Sequence, residues 1–173
     1  MKIGYLLSTL CILLDIFVLQ GCNHQDPNQI ITPFTSDHYF DLVIEDKLIK
    51  LQIAIEKEEH RRGLMYREKM GENEGMIFLY KTPQRMTFWM QNTALPLDIG
   101  FISPDGVLQE LYPLYPYDET TVISRSDKLQ YALELNQGWF QKNNINRGAK
   151  LDLELFKNAI LLRGYEPSNF DLP

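Results

Sequence analysis

Over "KLIKLQIAIE" the chain alternates with a period of two: Ile49, Leu51, Ile53 and Ile55 take one face, Leu48, Lys50, Gln52 and Ala54 the other. The preceding "YFDLVIE" reads as a partner strand, reached through a tight Glu45-Asp46-Lys47 connection. In "KEEHRRGLMYREKM" the pattern changes. Two acids near its start, Arg61 and Arg62 later, then Leu64 and Met65, predict a short helix. Gly63 inside that helix costs about 1 kcal/mol relative to Ala, which points to close packing there. "GMIFLY", "RMTFWMQ" and "LDIGFIS" predict three more strands, and Pro104-Asp105-Gly106 a turn leading into "VLQELY". "LQYALEL" follows as a strand, "NQGWFQKNN" as a second short helix and "AKLDLELF" as a closing strand. Many short strands with two brief helices predict a mostly β, α+β domain, built as a single antiparallel β-sandwich or barrel.

The amino terminus has a different pattern. Lys2 precedes an apolar run, Ile3 to Leu14, and the segment closes on Leu19-Gln20-Gly21-Cys22, the layout of an export signal. The ending resembles the lipobox of bacterial lipoproteins, in which the cysteine thiol receives a diacylglyceryl group and cleavage precedes it. The departures are Asp15 inside the apolar stretch and Gln20 before the glycine. An uncleaved membrane helix needs about 20 apolar residues; Ile3 to Leu19 supplies 17 with a carboxylate among them. The expected organisation is a lipoprotein-type signal over 1–21, an acylated tether over 22–37, a β domain over 38–156 and a carboxy-terminal tail over 157–173. "NHQDPNQIITPFTSD" is polar, contains prolines and has no period, and it would hold the domain roughly 20 Å from its anchor. With Cys11 in the signal and Cys22 acylated, the mature chain would have no free thiol.

Composition narrows the class. Hydrophobic residues at 45% and charged residues at 23% describe a globular chain, and 173 residues allow one ordinary domain. A net charge of −6, without basic clustering beyond Arg61 and Arg62, argues against nucleic acid as partner.

"RRGLMYREKM", "GMIFLY", "FWMQNTALPLDIGF", "YALELNQGWF" and "INRGAKLDL" occur in the order and spacing of one family. From about Asp41 to Leu155 the chain resembles the "domain of unknown function 192" family, also called uncharacterised protein family 0127. The resemblance implies a compact, mostly β fold related to jelly rolls, in proteins often exported or membrane-tethered. It implies no activity. The tail after Phe156 is outside the pattern.

Asp98, between Leu97 and Ile99, is the first candidate for chemistry. An ionised carboxylate in apolar surroundings needs a partner, and Arg62, Arg67, Arg85 and the Asn92-Thr93 loop are available. In the structural reading Asp98 ties its strand to that loop or to the helix, a pair whose loss costs about 3–5 kcal/mol. In the functional reading it orients a ligand in a pocket shared with Trp89 and Asn92. Glu134 could complete an acid/base pair with Asp98 for a glycan- or cell-wall-acting enzyme. Its alternation with Leu133 and Leu135 instead places it outward on its strand. Apart from Met1, the methionines Met65, Met70, Met76, Met86 and Met90 fall in one window. Thioethers suit Cu(I), although flexible gap-filling in a core is the ordinary use of Met. His24, His38 and His60 lie too far apart for a recognisable zinc site. No phosphate loop, Cys-x-x-Cys, His-Glu-x-x-His or Gly-x-Ser-x-Gly is present. Tyr112, Tyr115 and Tyr117 could stack on sugars, hold a peptide, or pack their own loop.

The sequence therefore supports a lipid-anchored bacterial envelope protein with a non-enzymatic binding or accessory domain. No catalytic residue, metal or cofactor is assigned. The membrane is the expected partner through Cys22, with a small polar ligand or an envelope protein as a further one. Arg62, Trp89, Asn92, Thr93, Asp98 and Glu134 are the ligand-binding or fold-locking candidates.

Overall fold

The computed structural model describes residues 32–172. The expected export signal, Cys22 and the expected tether up to residue 31 lie outside the described residues.

The alternating segments form the expected hairpin. β1 (Phe40–Ile44) runs antiparallel to β2 (Lys47–Ala54), with Phe40 opposite Leu51 and Ile44 opposite Lys47. α1 (Lys57–Arg62) then carries the chain across, and β3 (Glu74–Gln84) lies parallel to β2, Leu51 facing Gly75. β4 (Thr87–Phe88) precedes a second hairpin, β5 (Leu97–Ile102) with β6 (Leu108–Leu114). β7 (Val122–Ile123) pairs with β4 as a separate two-stranded ribbon. β8 (Leu129–Asn136) inserts between β3 and β5, completing a six-stranded sheet in the order β1-β2-β3-β8-β5-β6. α2 (Trp139–Lys142), α3 (Leu153–Leu162) and a 3-10 turn at Pro167–Phe170 follow.

The domain is mostly β with few helices, the α+β class that the pattern predicts. The strand arrangement differs in two respects. The β2–β3 pair is parallel, so the sheet is mixed rather than antiparallel throughout. A helix between two strands is itself the signal for that: a crossover is how a chain returns in the same direction. The sheet also stays open, with β1 and β6 at opposite edges, so it does not close into a barrel.

The expected closing strand is a helix. Only Lys150 and Leu151 form bridges, to Val107 and Ile44. Asp152 then caps α3, its Oδ1 accepting from the backbone N–H groups of Glu154 and Leu155 at 3.0 Å each. Phe156, Ala159 and Ile160, at helical spacing, bury one face of α3. Residues 157–173, separated as a tail on sequence grounds, thus contribute Ala159, Ile160 and Phe170 to the core. Gly63 has a different reason from the one expected. It ends α1 at φ +46°, ψ −131°, a conformation that side chains disfavour, and its N–H donates to the carbonyl of Glu59 at 2.9 Å.

Each face of the sheet is covered. On one, Leu51, Ile53, Ile77, Tyr131, Leu133 and Leu135 pack with Trp139 and Phe140 of α2 and Phe156 of α3. On the other, Ala54, Met76, Phe78, Ile99, Phe101 and Ala132 pack beneath Leu64, Met86, Phe88, Met90 and Leu95. Each fully buried large apolar side chain is worth about 1.5–3 kcal/mol. β8, flanked by strands on both sides and covered on both faces, is buried from Leu129 to Leu135.

Candidate functional site

β8 and β5 set the first geometric fact. Asp98 lies opposite Leu135, and Ile99 opposite Glu134, so the two carboxylates point to opposite faces of the sheet. Asp98 shares the face of the Trp139 and Phe140 core, and Glu134 the face of Phe78 and Phe101. A sheet between them rules out one water or one glycosidic bond reaching both, so the acid/base pair does not exist.

Asp98 is half-buried, and burial raises its pKa above the usual carboxylate value. Its Oδ2 accepts from the backbone N–H of Gly138 at 2.7 Å. It therefore fastens the left-handed turn at Gly138 (φ +81°) that leads from β8 into α2. It does not tie the Asn92-Thr93 loop. Nor do the three candidate arginines reach it: Arg67 donates to Tyr39 Oη at 2.9 Å and to Gln52, Arg85 donates to the Arg125 carbonyl at 2.9 Å, and Arg62 lines the opposite cleft. Asp98 borders a cleft of ≈ 340 Å³ with Tyr112, Phe140 and Asn144.

Glu134 is not outward-facing: it is 4% exposed. β3, α1 with its following loop, and the β4 segment close over it, leaving a cleft of ≈ 350 Å³. Phe78, Tyr80, Phe88 and Trp89 line its walls with Thr93 and Met65, and Arg61 and Arg62 also border it. Gly75, one strand away, is required by the close approach of β3 to β8: a Cβ there would stand 2.2 Å from the Glu134 carbonyl oxygen. Among the described residues, nothing donates a hydrogen bond to the Glu134 carboxyl group. Burial pushes its pKa up to about 8, against a smaller opposing pull from the Arg67 charge. Tyr80 is pushed up to about 12, by burial first and the neighbouring Glu134 second. The ring nitrogen Nε2 of His60 lies 3.0 Å from the Ala54 carbonyl, and burial holds this imidazole below its ordinary pKa and hence neutral at pH 7. The His60 ring lies tilted against Tyr80, with ring centroids 4.6 Å apart, while Phe78 and Phe88 meet edge to face at 5.0 Å.

The other expected site residues divide between the cleft and its frame. Trp89, 46% exposed, stands on the cleft wall, and Arg62 is exposed beside it. Thr93 is buried in the lining and donates to the Gln91 carbonyl at 3.1 Å. Asn92 is a frame residue: at φ +53°, its Nδ2 donates to Tyr66 Oη at 2.9 Å, and its carbonyl accepts from the Tyr66 N–H at 2.8 Å. That double link pins the loop after β4 to the loop after α1. From behind, α1 is held by Arg163, whose Nη2 reaches Glu59 Oε1 at 2.5 Å. Met76, Met86 and Met90 are buried in the core of this face with Met70 packed against it, the packing use of methionine. Among the described residues, no group of three or more His, Cys, Asp or Glu could hold a metal ion. Tyr115 and Tyr117 are exposed, and the Tyr117 N–H donates to the Thr93 carbonyl at 3.0 Å, so that loop lies against the cleft's frame.

The sequence pattern of the DUF192 family, described as "Uncharacterized ACR", matches residues 41–153. The chain belongs to the DUF192 family. A solved structure from Novosphingobium aromaticivorans, of a protein of unknown function, is 32% identical with a TM-score of 0.62, covering 66% of this chain and 84% of that one. Another from Sinorhizobium meliloti, provisionally described as a transcription regulator, is 26% identical with a TM-score of 0.63, covering 70% of this chain and 95% of that one. No curated protein matches. The DUF192 match spans Glu134, Trp89, Arg62 and Asp98 alike.

Sequence reasoning missed His60 and Tyr80 as lining residues, and it reversed the exposure of Glu134. One signal for Glu134 was present: on "LQYALEL" the face opposite Leu133 and Leu135 carries Gln130, Ala132 and Glu134, only one of them charged. A solvent-facing strand ordinarily carries more charge.

Proposed function

We propose that this DUF192 domain is a non-enzymatic binding module for a small polar ligand, held at the bacterial cell envelope by an acylated Cys22. One observation carries the reading: Glu134 lies at 4% exposure in a cleft of ≈ 350 Å³ and receives no hydrogen bond among the described residues. A largely buried carboxyl with no protein donor takes its partners from whatever enters the cleft, and a hydrogen bond to such a charged group is worth about 1.5–3 kcal/mol. A ligand can bring that donor, and the aromatic walls give it apolar surface to cover. The cleft volume suits a ligand of modest size, and the exposed Trp89 indole offers a face against which it can stack.

Ligand-induced thermal stabilisation and Trp89 fluorescence test the reading, with panels of amines, amino acids, sugars and cell-wall fragments. A stabilising ligand whose effect disappears in Glu134→Ala is the expected result. A panel in which no member perturbs Trp89 or raises the Tm refutes it. The anchoring is tested separately: Cys22→Ser abolishes labelling by radioactive palmitate, and persistent labelling removes the lipoprotein assignment.

A further inference from the structure

We infer that the Glu134 cleft receives a small zwitterion, with its ammonium group on the Glu134 carboxylate and its anionic group on Arg62. This deepens the binding reading and rests on it.

Three observations converge. First, the protein supplies no donor to Glu134 although donors stand nearby: Arg67 is engaged by Tyr39 and Gln52, His60 by the Ala54 carbonyl, and Thr93 by the Gln91 carbonyl. A donor for Glu134 comes only from what enters the cleft. Second, Phe78, Tyr80, Phe88 and Trp89 line the walls. An aromatic face turned toward the ligand favours a cation over a neutral hydroxyl, because the ring quadrupole is negative on its face. Third, the two arginines bordering the cleft are unequal. Arg61 is paired with Glu58, whereas the Arg62 guanidinium has no ion pair or hydrogen bond among the described residues. A bare amine would be repelled by Arg62, and a bare anion would pair with Arg62 while bringing no cation to Glu134. A molecule carrying both charges satisfies both groups.

Proton exchange distinguishes this ligand from a neutral one. The ionisable groups facing Glu134 are His60, Arg61 and Arg62 from α1, Arg67 from the loop after it, and Tyr80 from β3; Trp89, Met90, Gln91, Asn92, Thr93, Ala94 and Leu95 bring none. His60 is already neutral at pH 7 and Tyr80 stays neutral until about pH 12. Below pH 8 the free protein holds a proton on Glu134, and an incoming ammonium displaces it to the buffer. Affinity for the zwitterion therefore rises about tenfold per pH unit from pH 6 to 8 and then levels off, until the ligand's own amine titrates near pH 10. A neutral sugar shows no such rise.

Calorimetric titration of the domain with glycine, β-alanine, 4-aminobutanoate and 6-aminohexanoate, at pH 6 to 9 in buffers of differing ionisation enthalpy, tests this. n-Butylamine and glucose serve as the cation-only and neutral controls. The expected result is one amino acid in the series binding at least tenfold tighter than butylamine, with close to one proton released at pH 6.5 and none at pH 9. Arg62→Gln should reduce that ligand to the butylamine level, and Glu134→Gln should abolish proton release. If Glu134→Gln does not fold, proton release by the unaltered protein still decides. Butylamine binding as tightly as the amino acids, or indifference to Arg62→Gln, overturns the zwitterion. Glucose binding alone overturns it while leaving the binding reading intact, and no binding by any probe overturns both.

Discussion

Replacing Glu134 by Gln removes one ionisable group from a buried site and leaves its size almost unchanged, which makes the stability of the domain a direct readout of that site. In the folded chain the carboxyl is raised from 4.5 to about 8 because burial opposes its charge. Below about pH 4.5 Glu134 is protonated in both the folded and the unfolded chain and contributes no pH dependence. Between about pH 4.5 and 8 the unfolded chain ionises and the folded chain does not, so the folded state binds more protons and stability falls as pH rises. At 1.36 kcal/mol for each pH unit, the fall reaches about 5 kcal/mol, and above pH 8 it levels off. Other groups act in the same range or below it. His60, held neutral by burial, gains stability as pH rises toward 6.5, and Glu59 and Glu110, both lowered, act below pH 4.5. Comparison with Glu134→Gln cancels them. Urea unfolding of both proteins, followed by fluorescence of the buried Trp139 at each pH from 5 to 9, gives the difference directly. Glu134→Gln should gain on the parent protein by about 1.4 kcal/mol per pH unit up to pH 8 and then run parallel to it. Parallel curves over the whole range would mean that Glu134 ionises freely, and the argument for an isolated buried carboxyl would fail.

Asp98→Ala leaves the Gly138 N–H without its acceptor and should lower stability by about 1–2 kcal/mol in urea unfolding, while Asp98→Asn, which keeps an oxygen there, should lower it by less. Because Asp98 lies on the other face of the sheet, neither change should alter ligand binding at Glu134; a change in that affinity would contradict the assignment. Asp152→Ala removes the acceptor at the start of α3 and should cost about 0.5–2 kcal/mol, with the loss of helix seen as reduced far-ultraviolet circular dichroism at elevated temperature. An unchanged Tm would show that packing of Phe156 and Ile160 alone sets where α3 begins.

Much of the fold is local in origin and was legible from the chain. Ile49, Leu51 and Ile53 alternate because a strand turns successive side chains to opposite faces, and that pattern survives in any sheet. "NQGWFQKNN" became α2 because Trp139 and Phe140 needed a covered surface and the left-handed Gly138 permitted the turn. "LDLELF" misled for the same local reason: alternation over six residues also fits a strand, and the Asp152 cap with Phe156, Ala159 and Ile160 decided for a helix only once a core face was there to receive them. Arg62, Trp89 and Thr93 were singled out in sequence and do meet at one cleft, since all three lie on or beside the segments that cover one face.

What the chain pattern could not contain is which face of β8 would be covered. Period two tells that Leu133 and Glu134 point in opposite directions; it does not tell that strands would flank β8 on both sides or that α1 and the β4 segment would close over Glu134. For Asp98 and Glu134 the sequence by itself determined the residue types and the strands that carry them. Their separation by the sheet, the Gly138 partner of one and the isolation of the other were decided by the tertiary structure. Burial depends on contacts between segments far apart in the chain, and the energy of a carboxyl group depends on its burial.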